Sequence, residues 1–250
     1  MPDELERVYG HLGFADRVIY SNFVSSLDGV VTLGSTPSAG SAISGRYPAD
    51  RLLMGVLRAF ADAVLIGAGT LRSTPGHRWT PEHVFPDAAP AFRELRTTLG
   101  RRPQPRLVVL TRSGELDVSH PAIVAGATIA TTSAGAQALR GRLPAACDVI
   151  EVGKSGLLDV GRVVDHMRDR GYEAILTEGG PHLMGELIAN QLLNEAFLTI
   201  SPVVAGRAEQ PRLGMVAGVE LLPPPGVWTR LLSARRHGDF LFLRYRVNSA

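Results

Sequence analysis

The chain has 250 residues, 45% of them hydrophobic, which is enough apolar surface for one large domain or two small ones. Its 26 basic and 24 acidic residues leave a net charge of +2, too small to attract nucleic acid or an anionic membrane. The only cysteine, Cys147, excludes intramolecular disulfides and zinc sites built on paired cysteines.

The first segment of the chain predicts neither a leader nor a membrane anchor. Residues 1–6 are acidic and contain no apolar core, and the longest apolar stretches are interrupted by Arg58 and Asp62. We therefore expect a cytoplasmic protein with an N-terminal lead-in over residues 1–16 and a single domain over residues 17–250.

Strands and helices are predicted to alternate through the middle of the chain. Three short apolar runs without alternation are typical of strands buried on both faces of a parallel sheet: Val64–Ile66, Leu107–Leu110 and Ala174–Thr177. Segments with the helical period surround them, and they lie over residues 48–60 after Pro48, over 160–167 with Asp159 as cap and Gly171 as stop, and over 183–191 after Pro181. This alternation predicts an α/β layered domain.

The C-terminal section predicts antiparallel strands. Residues 197–204 are a long strand candidate, and residues 227–247 predict a hairpin that turns at His237-Gly238-Asp239. Leu241 and Leu243 alternate with Phe242 and Arg244, which is typical of an edge strand with one face exposed or covered by another subunit. The central sheet should be mixed, mostly parallel with antiparallel strands at its C-terminal edge.

The segment from Thr177 to Leu187 is the strongest local signal for a binding site. A buried strand ends at Thr177, Gly179 and Gly180 turn the chain, and a helix begins at Pro181. Main-chain N–H groups at such a helix start form a site for a phosphate or pyrophosphate. The alternative is a tight strand–helix turn that needs glycine for positive φ.

Two further turns follow the other predicted parallel strands. Gly67-Ala68-Gly69-Thr70 resembles the start of a dinucleotide fingerprint, but Arg72 stands where its third glycine would be. Thr111-Arg112-Ser113 supplies two hydroxyls and a guanidinium, which suit a phosphate monoester, although such a turn is also an ordinary polar loop. Because ligands of open α/β sheets bind at the carboxyl ends of strands, the three turns together predict a nucleotide lying across them.

The order and spacing of several motifs resemble a known family. Ser25-Ser26-Leu27-Asp28-Gly29, Asp62–Thr70 and Thr177–Pro181 are similar to the reductase, C-terminal domain of RibD-type riboflavin-biosynthesis proteins over roughly residues 17–247. The resemblance implies a dihydrofolate-reductase-like three-layer fold and an NADPH-dependent reductase, usually a homodimer. Its substrate would be a 5-phosphoribosylamino-pyrimidine, whose opened ribose accepts the hydride. We expect no counterpart of the zinc-binding deaminase domain in these residues, because Cys147 is their only cysteine.

The resemblance also implies roles for individual residues. Positions similar to cofactor-binding ones are Val24, Gly67, Ala68, Gly69, Thr70, Thr111, Arg112, Ser113, Gly179, Gly180, Pro181, His182, Leu183, Met184, Gly185 and Glu186. Positions similar to substrate-binding ones are Ser41, Ser44, Arg58, Thr74, Arg78 and Glu178. Thr111, Arg112 and Ser113 would face the 2′-phosphate, arginines would hold the substrate phosphate, and Glu178 and Asp28 are the catalytic candidates.

Two departures from the family pattern and several alternatives remain open. Thr74 stands where an aspartate is common, and Asn22 occupies a position that can be lysine, so a pterin or dihydrofolate reductase on the same fold is a second hypothesis. A non-catalytic NADPH-binding protein is a third. Asp28 could be only a turn residue, Glu178 only a loop acceptor, and Arg58 only a snorkelling side chain. No metal site is expected, because no histidines have ligand spacing.

Overall fold

The computed structural model describes residues 13–14, 17–34, 38–153, 157–207, 212–223 and 226–247. The predicted lead-in therefore falls outside the described residues except for positions 13 and 14. Phe14 packs its ring against Tyr20 and Phe197, with ring centroids 4.6 and 5.9 Å apart. Among the described residues, no helix is long and apolar enough to cross a membrane.

A nine-stranded sheet forms the middle layer. Its strands are β1 (Val18–Ser25), β2 (Ala63–Gly67), β3 (Arg106–Thr111), β4 (Ala127–Thr131), β5 (Asp148–Glu151), β6 (Ala174–Thr177), β7 (Glu195–Ile200), β8 (Thr229–His237) and β9 (Phe240–Val247). The spatial order is β5-β4-β3-β2-β6-β1-β7-β9-β8. Every pairing among β1 to β7 is parallel, whereas β9 runs antiparallel to β7 and β8. The predicted mixed sheet is confirmed.

Helices cover both faces of this sheet. They are α1 (Ala39–Ser44), α2 (Pro48–Phe60), α3 (Ala68–Ser73), α4 (Pro81–Val84), α5 (Ala89–Thr98), α6 (Pro121–Val124), α7 (Ser133–Leu139), α8 (Val160–Asp169) and α9 (Pro181–Ala189), with a 3-10 turn at Pro86–Ala88. Val64 and Ile66 pack into one core with α2, while Leu65 packs into a second core with α8 and α9. Since successive strand residues point to opposite faces, the domain has the three layers predicted.

The three predicted helices are confirmed with their end signals. Pro48 and Pro181 occupy the first turns of α2 and α9, and the Asp159 side chain accepts a hydrogen bond from the Arg162 N–H at 3.0 Å. Gly171 takes φ +78° just beyond α8, which is the left-handed conformation that ends helices.

The predicted strand over residues 197–204 is displaced. It begins two residues earlier, at Glu195, and ends at Ile200, because Ser201 is the last residue whose main chain donates to β1. The hairpin is confirmed, with Gly238 at φ +58° in its turn. Its inward face carries Phe242 and Arg244, which are buried, whereas Leu241 is exposed.

Candidate functional site

A cavity of about 1240 Å³ opens at the carboxyl ends of β1, β2, β3 and β6. Strand-end loops line it together with α1, one side of α2 from Asp50 to Arg58, and the start of α9. Parallel strands place their carboxyl ends at one edge of the sheet, so turns that are far apart in sequence meet around one space.

The strand-end turns of this cavity are Gly67–Thr70, Thr111–Ser113 and Gly179–His182, and all of their residues line it. Gly67 caps α3 and Gly180 caps α9, in both cases without a side-chain hydrogen bond to the helix start. A Cβ atom built on Gly67 or Gly69 would meet nothing within 4 Å. The main chain at Gly67 and Gly69 is therefore open to a ligand, whereas a Cβ atom at Gly179 would overlap the Leu183 side chain.

Gly180 decides between the two interpretations of the β6–α9 turn. Its φ is −74°, so the turn does not need glycine for positive φ. A Cβ atom at this position would approach only the Thr70 hydroxyl, at 3.8 Å. Neither backbone strain nor packing explains the glycine, which favours close approach of a bound group to the start of α9.

Two exposed arginines lie beside the strand-end turns. Arg72 and Arg112 both line the cavity with side chains open to solvent, while Thr111 is buried. The Arg112 main chain is fixed, since its carbonyl accepts a hydrogen bond from the Thr132 hydroxyl at 2.8 Å. This arrangement presents positive charge on a rigid loop, which suits an anionic group of a ligand.

A second part of the lining, the acid cluster, consists of Asp50, Arg58, His77 and Glu178. Arg58 projects from α2 and is 1% exposed, and its guanidinium pairs with Glu178 through Nε–Oε1 at 2.9 Å and Nη2–Oε2 at 2.6 Å. Its remaining donors reach the carbonyls of residues 78 and 80 at 3.3 Å and the His77 ring at 2.8 Å. All five guanidinium donors are thus engaged within the protein.

The Arg58 contact defines the state of His77. Arginine can only donate, so the His77 Nε2 atom accepts and the proton of the neutral ring lies on Nδ1. Burial, followed by the charge of Arg58, lowers the pKa of His77 to about 2. His77 is consequently a neutral hydrogen-bonding side chain at every physiological pH.

Asp50 lies in the first turn of α2 and is 4% exposed although it borders the cavity. Burial raises its pKa to about 6, with the Glu178 charge adding to the increase. The Thr199 hydroxyl and the charge of Arg51 act in the opposite direction. Asp50 was not among the residues predicted from the sequence.

A family match identifies the group of proteins to which this fold and cavity belong. The model of the RibD C-terminal domain family matches residues 17–229. The chain belongs to this family. The resemblance inferred from the Asp28, Gly67–Thr70 and Thr177–Pro181 motifs is thereby confirmed.

Solved structures share the fold of this RibD C-terminal domain. A pyrimidine reductase-like protein from Corynebacterium diphtheriae is 21% identical over 99% of both chains, with a TM-score of 0.75. The riboflavin biosynthesis reductase of Saccharomyces cerevisiae is 15% identical over 99% of both chains, with a TM-score of 0.63. RibD of Acinetobacter baumannii is 17% identical over 93% of this chain but 58% of its own, with a TM-score of 0.65. No curated protein matches.

Most of the predicted site residues come together in this RibD C-terminal domain. Those that line the cavity are Val24, Ser41, Ser44, Arg58, Gly67, Ala68, Gly69, Thr70, Thr74, Thr111, Arg112, Ser113, Glu178, Gly179, Gly180, Pro181, His182, Leu183 and Glu186. Asp28, Arg78, Met184 and Gly185 are not part of the lining. Met184 is buried, and Gly185 faces the Ala217 carbonyl closely enough to exclude a Cβ atom.

Asp28 has a different set of partners from those of the acid cluster. Its exposed carboxylate accepts hydrogen bonds from the Ser26 hydroxyl at 2.6 Å and from the main-chain N–H groups of Ala205 and Gly206 at 2.9 and 2.8 Å. These bonds, the Ser26 one foremost, lower its pKa to about 2. These contacts favour a structural role, in which Asp28 holds the loop, over a catalytic one. The sequence analysis gave this structural role as the alternative for Asp28.

Sequence reasoning missed Asp50, His77 and Trp79. Asp50 is a polar residue on the buried face of a strongly amphipathic helix, and that interruption was the available signal. His77 and Trp79 follow the Gly67–Thr70 turn without any spacing pattern. Among the described residues, no group of three or more His, Cys, Asp or Glu side chains is placed to hold a metal ion.

Proposed function

We propose that this chain is an NADPH-dependent reductase of the RibD C-terminal type, acting on a 5-phosphoribosylamino-pyrimidine. One observation carries the proposal: three strand-end turns, with open main chain at Gly67, Gly69 and Gly180 and with arginine charge beside them, share a single cavity with a buried acid cluster. A cofactor with linked phosphates and a polar heterocyclic substrate are the ligands that such a combination suits.

The strand-end turns are the proposed cofactor site. The starts of α3 and α9 would receive the linked phosphates, since Gly67, Gly69 and Gly180 leave room for them. Thr111, Arg112 and Ser113 would contact the 2′-phosphate, with Arg72 adding charge, which favours NADPH over NADH. When bound, the nicotinamide supplies the hydride; the protein positions the acceptor and excludes water.

The acid cluster is the proposed site of the substrate's heterocycle. Carboxylate oxygens accept ring and amino N–H groups, and the neutral His77 ring offers an Nδ1–H donor in addition. The phosphate expected from the family resemblance would need another partner than Arg58, whose donors are all engaged. Ser41, Ser44 and Arg46, which line the cavity together, are the candidates.

A homodimer is part of this proposal. The C-terminal edge of the sheet exposes apolar side chains, among them Trp228 at 77%, Leu231 at 51% and Leu241 at 42%. Exposed apolar side chains grouped on one edge element favour coverage by a second subunit.

Cofactor titration and turnover test the function together. We expect NADPH to bind at least tenfold more tightly than NADH by quenching of protein fluorescence, since only NADPH carries the group for Arg112. Oxidation of NADPH should then accompany addition of 5-amino-6-(5-phosphoribosylamino)uracil. Equal or undetectable binding of both cofactors would overturn the cofactor assignment, and binding without turnover would favour the non-catalytic hypothesis.

Dihydrofolate is the second substrate to test. The Thr74 hydroxyl donates to the Thr70 carbonyl at 2.7 Å, so the position common for an aspartate carries no charge toward the cavity. The hydrogen bonds that engage all the donors of Arg58 point in the same direction. These two observations favour a pterin-type substrate, whereas the family resemblance favours a 5-phosphoribosylamino-pyrimidine. Faster turnover of dihydrofolate than of the ribosylamino-pyrimidine would select this alternative.

A further inference from the structure

The arginines that line the cavity differ in how many of their donors are free. Arg58 is fully engaged, and Arg51 donates from Nε and Nη2 to a main-chain carbonyl at 2.9 and 2.6 Å. Arg72 and Arg112 lie beside the strand-end turns, where the cofactor is proposed to bind. Arg46, at the corner between α1 and α2, is exposed, and among the described residues its guanidinium has no hydrogen bond or ion pair. Its donors are therefore free for a ligand.

The main chain at this corner has a conformation that residues other than glycine seldom adopt. Gly45 and Arg46 both have left-handed φ values, +58° and +56°. Glycine adopts such values readily, whereas the Cβ atom of an arginine makes them unfavourable. A conformation of this kind persists only where the surrounding structure holds it, and it occurs most often at binding and catalytic sites. The corner therefore needs contacts that restrain it.

Tyr47, the next residue, ties the corner to the turn of the β8–β9 hairpin. Its ring stacks on Phe240, with ring centroids 4.0 Å apart and the two planes inclined by 2°. Its hydroxyl lies 2.7 Å from the His237 Nδ1 atom and 3.4 Å from the carbonyl oxygen of the same residue. Gly238 comes so close that a Cβ atom there would lie 2.7 Å from this hydroxyl. We call Tyr47, His237 and Phe240 the hairpin clamp.

The hairpin clamp acts on the cavity from outside it. Its three residues are not part of the lining, yet they fix the residue that follows Arg46 in the chain. On the other side of the corner, Ser44 is buried and also lines the cavity. Because both flanks of Arg46 are held, a ligand would have less main-chain freedom to remove when it binds the guanidinium.

We propose that the hairpin clamp positions Arg46 to bind the phosphate of the substrate, an inference that rests on the proposed function. Arg46 determines specificity for a phosphorylated substrate, and the three residues of the clamp are positioning residues. A guanidinium with free donors forms paired, charge-assisted hydrogen bonds with phosphate oxygens. The family resemblance implies this role for Arg58 and Arg78, but the first is engaged and the second is not part of the lining.

The first test follows the corner in the free protein by amide hydrogen exchange. Exchange of residues 44–47 should be about fivefold faster in Phe240→Leu, which loses the stacked ring, and in His237→Ala, which loses the partner of the hydroxyl. Exchange of α9 should keep its wild-type rate. Tyr245→Phe, also on β9, is the matched control, because the Tyr245 hydroxyl has no hydrogen bond among the described residues. Unchanged exchange of residues 44–47, or an equal acceleration in α9, would overturn the clamp.

The second test compares turnover of the ribosylamino-pyrimidine with and without its phosphate. Arg46→Ala should raise KM for the phosphorylated substrate by about 30-fold and leave kcat almost unchanged, because a charge-assisted contact is lost. Its kcat/KM for the dephosphorylated substrate should equal that of the wild type. Tyr47→Phe keeps the stacked ring and loses only the hydroxyl contact, so KM for the phosphorylated substrate should rise by about fivefold. Arg93→Ala, an exposed substitution outside the cavity, is the matched control.

A double variant shows whether Tyr47 acts through Arg46. Arg46→Ala/Tyr47→Phe should have the same KM as Arg46→Ala alone, because the clamp then has no guanidinium left to position. A further increase of KM in the double variant, or a wild-type KM in Arg46→Ala, would overturn the proposal and leave the reductase standing. Absence of turnover of the phosphorylated substrate by the wild type would overturn the proposed function and the role of Arg46 with it, whereas the exchange measurement would still decide whether the clamp holds the corner.

Discussion

The strand-end turns and the acid cluster line one cavity but are encoded in different ways. Each strand-end turn is a few consecutive residues that follow a buried strand. Its chemistry comes from open main chain at Gly67, Gly69 and Gly180, and from the side chains of Thr111, Arg112 and Ser113. The acid cluster instead joins side chains from three places, and its central ion pair spans 120 positions between Arg58 and Glu178. The turns can be recognised from short motifs, whereas the cluster exists only after folding.

This difference affects how well the role of an individual residue can be inferred from the sequence. Arg58 on α2 resembles a phosphate-binding arginine in sequence, yet the fold places Glu178 and His77 against it and engages all its donors. Each strand-end turn can be recognised from consecutive residues in the chain, although the three turns meet one another only in the fold. The roles of the residues in the acid cluster therefore depend on pairing between residues far apart in the sequence more than on local motifs.

Breaking the central ion pair should have the largest effect. Arg58→Met leaves the Glu178 carboxylate buried without its partner, so we expect the free energy of unfolding in urea to fall by about 3–5 kcal/mol. The double variant Arg58→Met/Glu178→Gln should recover part of this loss, since no charge is left unpaired. If Arg58→Met keeps its stability and loses only phosphorylated substrate, the phosphate-binding role implied by the family resemblance would replace the pairing role.

The titration of the acid cluster should appear as opposing effects of pH on stability. The pKa of Asp50 is raised from 3.8 to about 6, so its contribution to folding is complete below pH 3.8 and is lost as pH rises through 6. The pKa of His77 is lowered from 6.5 to about 2, so its contribution is present above pH 6.5 and is lost as pH falls. Each changes stability by about 1.4 kcal/mol per pH unit, and between about pH 4 and 6 the two cancel.

Single variants allow the two opposing changes of stability with pH to be measured separately. Relative to the wild type, Asp50→Asn should gain about 1.4 kcal/mol per pH unit as pH rises from 4 to 6, and His77→Gln should lose a similar amount. Urea unfolding at intervals of half a pH unit measures both, with Asp165→Asn as the exposed control. Parallel stability curves for wild type and Asp50→Asn would contradict the buried, cavity-facing state of this carboxyl.

The sheet and its three main helices could be predicted because their signals are local. Uninterrupted apolar runs marked β2, β3 and β6, and Asp159, Pro48 and Pro181 marked helix starts. The strands β1 and β4 were missed. In β4, Ala127–Thr131 mixes small and hydroxyl residues that become buried only between β3 and β5. The inward face of β9 could not be assigned either, because both alternating sets contain apolar residues and the fold buries Arg244 against Glu195.

The site residues, like the strands and helices, could be predicted only where their signals are local. The cofactor turns follow from motifs, but Asp50 and His77 acquire their properties from burial and from Arg58, which no spacing in the chain reveals. Met184 and Gly185 were included with the α9 segment because a motif does not show which face of a helix turns inward. Both lie away from the cavity, against the second core and the Ala217 carbonyl.

A methyl group added to a strand-end turn should weaken cofactor binding without unfolding the domain. Gly69→Ala builds its Cβ into open space on α3, where alanine also suits a helix better than glycine, so the melting temperature should stay equal or rise. We expect NADPH affinity to fall about tenfold, or 1.4 kcal/mol, because the added methyl occupies the cavity. Gly185→Ala is the contrasting variant: its Cβ meets the Ala217 carbonyl, so stability should fall.

The smallest effect should come from a feature that is entirely local. Asp159→Ala removes the hydrogen bond to the Arg162 N–H at the start of α8, and we expect the free energy of unfolding to drop by about 1 kcal/mol. Asp159→Asn should retain most of the wild-type stability, since asparagine caps as well, and Asp165→Ala on the same helix serves as the non-capping control. A loss as large as that of Arg58→Met would show that Asp159 also has long-range partners, and the contrast between local and long-range encoding would then not extend to this helix.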